Sequence, residues 1–211
     1  MSKKNSGLTR KELIQTGNVI EGKNLTSCLE DLEQCGFIRK YKDYTTEING
    51  AHFQLIDPLC LFFFSFLDNG KIESWNDFFD TPTYYNWCGL AFEKVCLQHT
   101  KQIKYALGIA GLSSSEYSWY SKKTKPGVQI DLLIDRKDDI INVCEEKYSK
   151  EPFTIDTSYE TDLIHKIEVF RKETNTKKAL WLTMISFSGI KMNSHSNIVI
   201  NSITGDDLFV L

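Results

Sequence analysis

Val128-Gln129-Ile130-Asp131-Leu132-Leu133-Ile134-Asp135-Arg136-Lys137-Asp138-Asp139-Ile140-Ile141-Asn142-Val143-Cys144-Glu145-Glu146-Lys147 is the stretch that decides the fold. Two apolar, β-branched runs flank a short charged segment, which is the pattern of a hairpin. A turn symmetric about Asp138 puts Asp131 opposite Glu145 and Gln129 opposite Lys147. Side chains alternate along a strand, so Gln129 and Asp131 share one face, as do Glu145 and Lys147. Two carboxylates opposed across a ladder repel one another. The arrangement therefore needs a compensating cation, either a divalent metal or the Lys147 ammonium. A solvated sheet face, or a structural ion network, is the plainer reading of the same residues. Against a bare solvated face stands the apolar character of both strands, because ionisable groups in buried strands are paired, hydrogen-bonded or metal-bound.

The rest of the chain sets limits. At 211 residues one or two domains are expected, with length for a proper core. A net charge of -3 gives no global attraction for nucleic acid. The six cysteines include no Cys-x-x-Cys pair, which predicts reduced, packed thiols rather than zinc or disulfides. The polar N-terminus shows no signal peptide, and the apolar run 58–67 is too short to span a bilayer. A cytoplasmic protein without a membrane segment is the expectation.

Thr9-Arg10-Lys11-Glu12 has capping-box spacing and opens a short helix. A second helix is predicted over 24–34, with Gly36 as its stop. Phe37-Ile38 and Phe53-Gln54-Leu55 read as two strands around a turn at Ile48-Asn49-Gly50. Residues 58–67, dense in Leu and Phe, are expected as core or as a partner surface, and 68–84 as a connector. The next helix is predicted over 87–104. A strand over 113–120 precedes the hairpin, and Lys122, Lys123 and Lys125 form a basic turn interleaved with Tyr117, Trp119 and Tyr120. That turn is the one place suited to charge and stacking contacts with a nucleic-acid backbone. Beyond the hairpin come a helix over 158–174, with Lys166 and Arg171 facing the site or solvent, and strands over 178–185 and 196–203.

Asp131 followed by Glu145-x-Lys147 on the next strand resembles the core of the PD-(D/E)XK nuclease superfamily. More closely, the chain is similar to the C-terminal region of archaeal-type AAA+ ATPases. The residues that carry this likeness are Cys88 to Glu93, Gln129 to Arg136, Cys144 to Ser149 and Asp206 to Phe209. The resemblance implies an α/β fold: a restriction-endonuclease-like three-layer core over 73–211, with a mixed sheet and flanking helices. A partial winged-helix-like module would occupy 1–67. The first helix usual in that module has no counterpart before Leu8. Asp131 and Glu145 would hold Mg²⁺ or Mn²⁺, with Glu93 from the first core helix as a further ligand. Lys147 and Gln129 would complete the catalytic set for DNA hydrolysis. The middle position of Glu-x-Lys is here the acidic Glu146, which alternation sends to the other side of the strand. The rival implication is an inactive nuclease-like tail that binds an ATPase domain or another protein. The chain carries no Gly-x-x-x-x-Gly-Lys-[Ser/Thr] phosphate loop of its own. Glu30, Asp31 and Glu33 on the second predicted helix would repel phosphates, so that module is expected to contact protein rather than read DNA.

Overall fold

A computed structural model of the chain describes residues 7–17, 19–45, 51–68, 70–121, 123–124 and 127–210. They form two compact units, Met1–Gln98 and His99–Leu211. The turn expected at 48–50, and Lys122 and Lys125 of the basic turn, lie outside the described residues.

The first unit opens with β1 (Leu8–Thr9), α1 (Arg10–Gly17), α2 (Lys23–Gln34), β2 (Ile38–Asp43) and β3 (His52–Leu55). The three strands pair antiparallel in the order β1-β3-β2. Thr9 and Glu12 form the expected reciprocal cap: the Thr9 N–H donates to Glu12 Oε2 at 2.7 Å, and the Glu12 N–H to Thr9 Oγ1 at 3.3 Å. Gly36 ends α2 with φ of +76°, and the Phe37 N–H reaches back to the Leu32 carbonyl at 3.0 Å. That is the left-handed stop for which glycine is suited. Leu8, Leu13, Leu25, Leu29, Ile38 and Phe53 fill the space between helices and strands.

The 58–67 run is helical: α3 (Pro58–Phe62) passes into a wider π turn, Phe63–Leu67. Phe62 and Phe66 pack against Phe78 and Trp87 at centroid distances of 5.0–5.7 Å, as the core expectation holds, while Leu59, Phe63 and Leu67 stay exposed. The expected connector instead contains α4 (Trp75–Phe78) and the start of α5 (Pro82–Gln98). Thr81 caps α5 through Tyr84 N–H at 3.2 Å, with Pro82 at the first helical position. The helix expected over 87–104 is broken at His99, and α6 (Thr100–Ala106) follows.

The second unit is a mixed α/β structure. Its strands are β4 (Ser114–Ser121), β5 (Val128–Arg136), β6 (Ile140–Lys147), β7 (Ala179–Ser186) and β8 (Asn201–Thr204), with α7 (Thr157–Thr174) between β6 and β7. β4, β5 and β6 form an antiparallel meander, and β6, β7 and β8 run parallel. A parallel neighbour needs a crossover, and α7 supplies it. Asp156 caps its start through Tyr159 N–H at 2.8 Å, and Asn175 ends it in the left-handed conformation. Leu163 of α7 packs with Ile155, Leu182 and Met184. The last strand is shorter than the expected 196–203. Asn193 Oδ1 accepts both the His195 and Ser196 N–H groups at 2.9 Å, which winds His195–Ile198 into a 3-10 turn before β8 begins.

On the sheet face away from α7 runs a buried polar line. Asn142 Nδ2 donates to Thr183 Oγ1 at 3.0 Å and to Asn201 Oδ1 at 3.3 Å, while Arg136 lies 5.3 Å from the Trp181 ring centroid. All six cysteines are free thiols. No helix among the described residues is long and apolar enough to cross a membrane.

The hairpin turn is Lys137-Asp138-Asp139, with Asp139 at φ of +62°. Three-residue hairpin loops place a left-handed residue there, and glycine takes it without strain. Asp139→Gly is expected to stabilise the second unit by about 0.5–1 kcal/mol, read as a higher urea midpoint with unchanged slope. A lower midpoint would contradict the turn geometry.

Candidate active site at the open end of the hairpin

The β5–β6 register is the expected one: Leu132 pairs with Cys144, Leu133 with Val143, Ile134 with Asn142 and Asp135 with Ile141. This ladder stops one residue short of Asp131 and Glu145. They are therefore not an opposed, paired couple, which corrects the sequence expectation. The cause sits on the other side of β5. Tyr117 pairs with Leu133 and Trp119 with Ile130, so Asp131 and Leu132 together oppose the single Ser118. This is a β-bulge, which bends its strand and re-aims its side chains. Ser118 Oγ donates to the extra carbonyl, Asp131 O, at 2.6 Å. Alternation counted along β5 is reset at this point, and Asp131 falls out of phase with Val143 and Glu145.

Two polar pairs result, one on each of the parting strands. On β5, Gln129 Nε2 donates to Asp131 Oδ1 at 2.7 Å. On β6, Lys147 Nζ lies 3.3 Å from Glu145 Oε1. Glu145 is largely buried, its side chain 12% exposed, and has two further donors from α7. The Tyr159 hydroxyl donates to Oε1 at 2.7 Å, and Lys166 Nζ makes a close ion pair with Oε2. Lys147 also sits 5.2 Å from the centre of the Tyr159 ring. Burial pushes the Glu145 carboxyl up, but the charges of Lys166 and Lys147, with hydrogen bonds from Lys166 and Tyr159, outweigh it. The carboxyl is held below its ordinary value. Burial, then the charge of Glu145 and the hydrogen bond to it, push the Tyr159 phenol up, so Tyr159 remains a neutral donor. Glu146 lies with Cys144 on the opposite face of β6; burial, followed by the charges of Glu146 and Glu116, raises that thiol.

Glu93 lies on α5 in the first unit, with Oε2 3.9 Å from Lys94 Nζ. Trp119 cannot serve a stacking surface, since it is 2% exposed and packs edge-on against Phe170 at 5.1 Å. Tyr120 is exposed. Lys123 Nζ lies 4.0 Å from Glu173 Oε2. Arg171 turns to the Lys178 carbonyl at 3.3 Å rather than to Glu145. Tyr159 and Lys166, which both reach Glu145, stand seven residues apart on α7. Seven residues is close to two helical turns, so both side chains lie on one face of α7.

Asp131 and Glu145 carry the hard oxygen donors that Mg²⁺ or Mn²⁺ takes. The structure, however, pairs Asp131 with Gln129 and Glu145 with Lys147, Lys166 and Tyr159, and the bulge sets the two carboxylates out of phase. No group of three or more His, Cys, Asp or Glu side chains suited to a metal occurs among the described residues. Fold and site together define the second unit as a mixed α/β domain with a largely buried carboxylate between two lysines where two strands part. No protein family, curated protein or solved structure matches the chain.

Proposed function

We propose that the second unit is a metal-dependent phosphodiesterase of the PD-(D/E)XK kind acting on DNA. In this reading the first unit's helix pair and strands are a partial winged-helix-like module that contacts an ATPase domain or another protein. The observation that carries the reading is the largely buried Glu145 with Lys147 at 3.3 Å, just past the end of the β5–β6 ladder. The topology, an antiparallel meander continued by parallel strands across a helix, agrees with a restriction-endonuclease-like core. Glu30, Asp31 and Glu33 are exposed on α2, which favours a protein contact over DNA at the first unit.

In this reading Glu145 would hold Mg²⁺ or Mn²⁺, which when bound lowers the pKa of a water and neutralises charge on the phosphate. The bulge leaves Asp131 out of phase with Glu145 and bonded to Gln129. Gln129 donates an amide N–H to Asp131, and its carbonyl oxygen can accept a hydrogen bond from a water or its amide contact the phosphate. Lys147 places a positive charge where negative charge grows on the phosphoryl oxygens. Tyr159, held neutral, fixes the rotamer of Glu145.

A second reading is supported by the three donors already on Glu145: a structural ion network in an inactive, protein-binding domain. Mn²⁺ titration and plasmid nicking separate the two. The enzyme reading expects Mn²⁺ uptake by the wild type. It also expects nicking that falls by about 100-fold or more in Lys147→Ala. A folded wild type that takes up no Mn²⁺ and leaves plasmid intact would sink it and leave the structural network standing.

A further inference from the structure

Trp75 opens α4 and Phe79 follows its last residue. The two rings lie 6.0 Å apart and are 55% and 48% exposed, while Phe78 between them is buried against Phe62 and Phe66. Tyr84 of α5 completes the group. Its ring stands at 90° to Trp75 with centroids 6.1 Å apart, and 5.1 Å from Phe79. The corner that holds the rings is fixed: Thr81 Oγ1 donates to the Phe78 carbonyl at 2.7 Å and accepts the Tyr84 N–H at 3.2 Å. Exposed aromatic clusters of this kind mark contact surfaces, and rigid rings lose little entropy when a partner binds. The segment that carries them is acidic. Asp68, Glu73, Asp77 and Asp80 are exposed, against the single Lys71. Asp80 follows Phe79 directly, with φ of +63°, and accepts the Tyr85 hydroxyl. Glycine takes that backbone without strain, yet the position carries a carboxylate.

We propose that this aromatic and acidic corner docks an arginine from a basic segment of a partner protein. The surface lies wholly in the first unit and does not depend on the reading of Glu145. A guanidinium is planar, stacks on an aromatic face and forks onto a carboxylate, whereas lysine offers a point charge. The chain uses the same combination internally: Arg136 stands 5.3 Å from the Trp181 ring centroid and bonds Asp138 through both Nε and Nη2. Trp75, Phe79 and Tyr84 supply the rings, and Asp80 the carboxylate beside them. Charge selects the occupant, because four carboxylates repel an acidic partner or a nucleic-acid backbone and attract a basic segment.

The test is fluorescence anisotropy of a short labelled peptide of alternating glycine and arginine, titrated with the full chain at low salt. Matched peptides carry lysine or uncharged citrulline in place of arginine. The arginine peptide is expected to bind most tightly, and the citrulline peptide about tenfold more weakly. Trp75→Leu keeps an apolar side chain and every charge but removes the ring, and is expected to raise Kd about fivefold. Asp80→Gly suits the left-handed backbone and is expected to raise Kd about threefold, as for one exposed ion pair. Thermal melts of both variants check that the fold is kept. A wild type that leaves the arginine peptide unbound would overturn the proposal. Equal Kd values for wild type and Trp75→Leu would do so too, since charge alone would then draw the peptide. Equal binding of the lysine peptide would remove the case for arginine, and equal binding of the citrulline peptide would reduce the corner to an apolar contact.

Discussion

Lys166→Met should cost the second unit about 2–3 kcal/mol at neutral pH, far more than surface charge changes do. Breaking a buried ion pair from one side leaves an uncompensated charge, which costs about 3–5 kcal/mol when burial is complete. Two features place this case at or below the low end. Glu145 keeps Lys147 and Tyr159 as partners, and the Lys166 side chain is itself 22% exposed. Lys147, at 36%, is more open still. Lys147→Met is therefore expected to cost only about 1 kcal/mol, in the range of partly solvated pairs. Urea unfolding of the two variants would give the ranking, and a reversed order would mean that Lys147 rather than Lys166 neutralises the carboxylate.

The same pair has a pH signature. Glu145 titrates below its ordinary value of 4.5 in the folded chain, so it contributes stability that is present above that value. The contribution is lost as pH falls through the lower, folded value. Lys166→Met removes much of what depresses the carboxyl. The stability gap between wild type and variant should be full at pH 7 and narrow below about pH 4.5, where a protonated Glu145 needs no cation. A gap that stays constant down to pH 3 would show that the loss comes from packing of the lysine stem instead.

Phe170→Ala is expected to cost about 4 kcal/mol, the larger of the two effects. Phe170 is fully buried, and emptying such a site forfeits both transfer energy and packing, typically 3–5 kcal/mol. Its ring meets Trp119 nearly edge-on at 5.1 Å, an arrangement worth up to about 1.5 kcal/mol beyond area alone. Trp119 also offers a readout. It is 2% exposed, and removing its neighbour should admit water, seen as a red shift of its emission in the native state. A loss below 2 kcal/mol would mean that the surrounding side chains collapse into the gap.

Much of the architecture could be read from residue order because it rests on local chemistry. The Thr9–Glu12 cap, the stop at Gly36 and the register about Asp138 each depend on a few adjacent residues. The same kind of signal was present at Thr81-Pro82, where an N-cap followed by proline opens α5, but the aromatic residues around it suggested a connector. The bulge at Asp131–Leu132 was not readable. It is set by how β4 meets β5, and nothing within Gln129-Ile130-Asp131 marks an extra residue. That one irregularity changed the candidate site most, because every inference about facing side chains assumed unbroken alternation. Lys166 and Tyr159 illustrate a different gap. Their shared helix face follows from spacing, but which strand residue they meet depends on where the crossover lays α7.

The placement of that crossover also fixes an order of assembly. β4, β5 and β6 succeed one another along the chain and can zip up through short loops. β7 must wait for some thirty intervening residues, because contacts distant in sequence form slowly. Glu145 has its strand and Lys147 early but receives Tyr159 and Lys166 only when α7 docks, so until then Lys147 alone offsets the anion on the nascent sheet. Pulse-labelled hydrogen exchange during refolding should protect amides 132–134 before 183–185. The charge cluster thus works as a late checkpoint, closing only around a meander that has already formed.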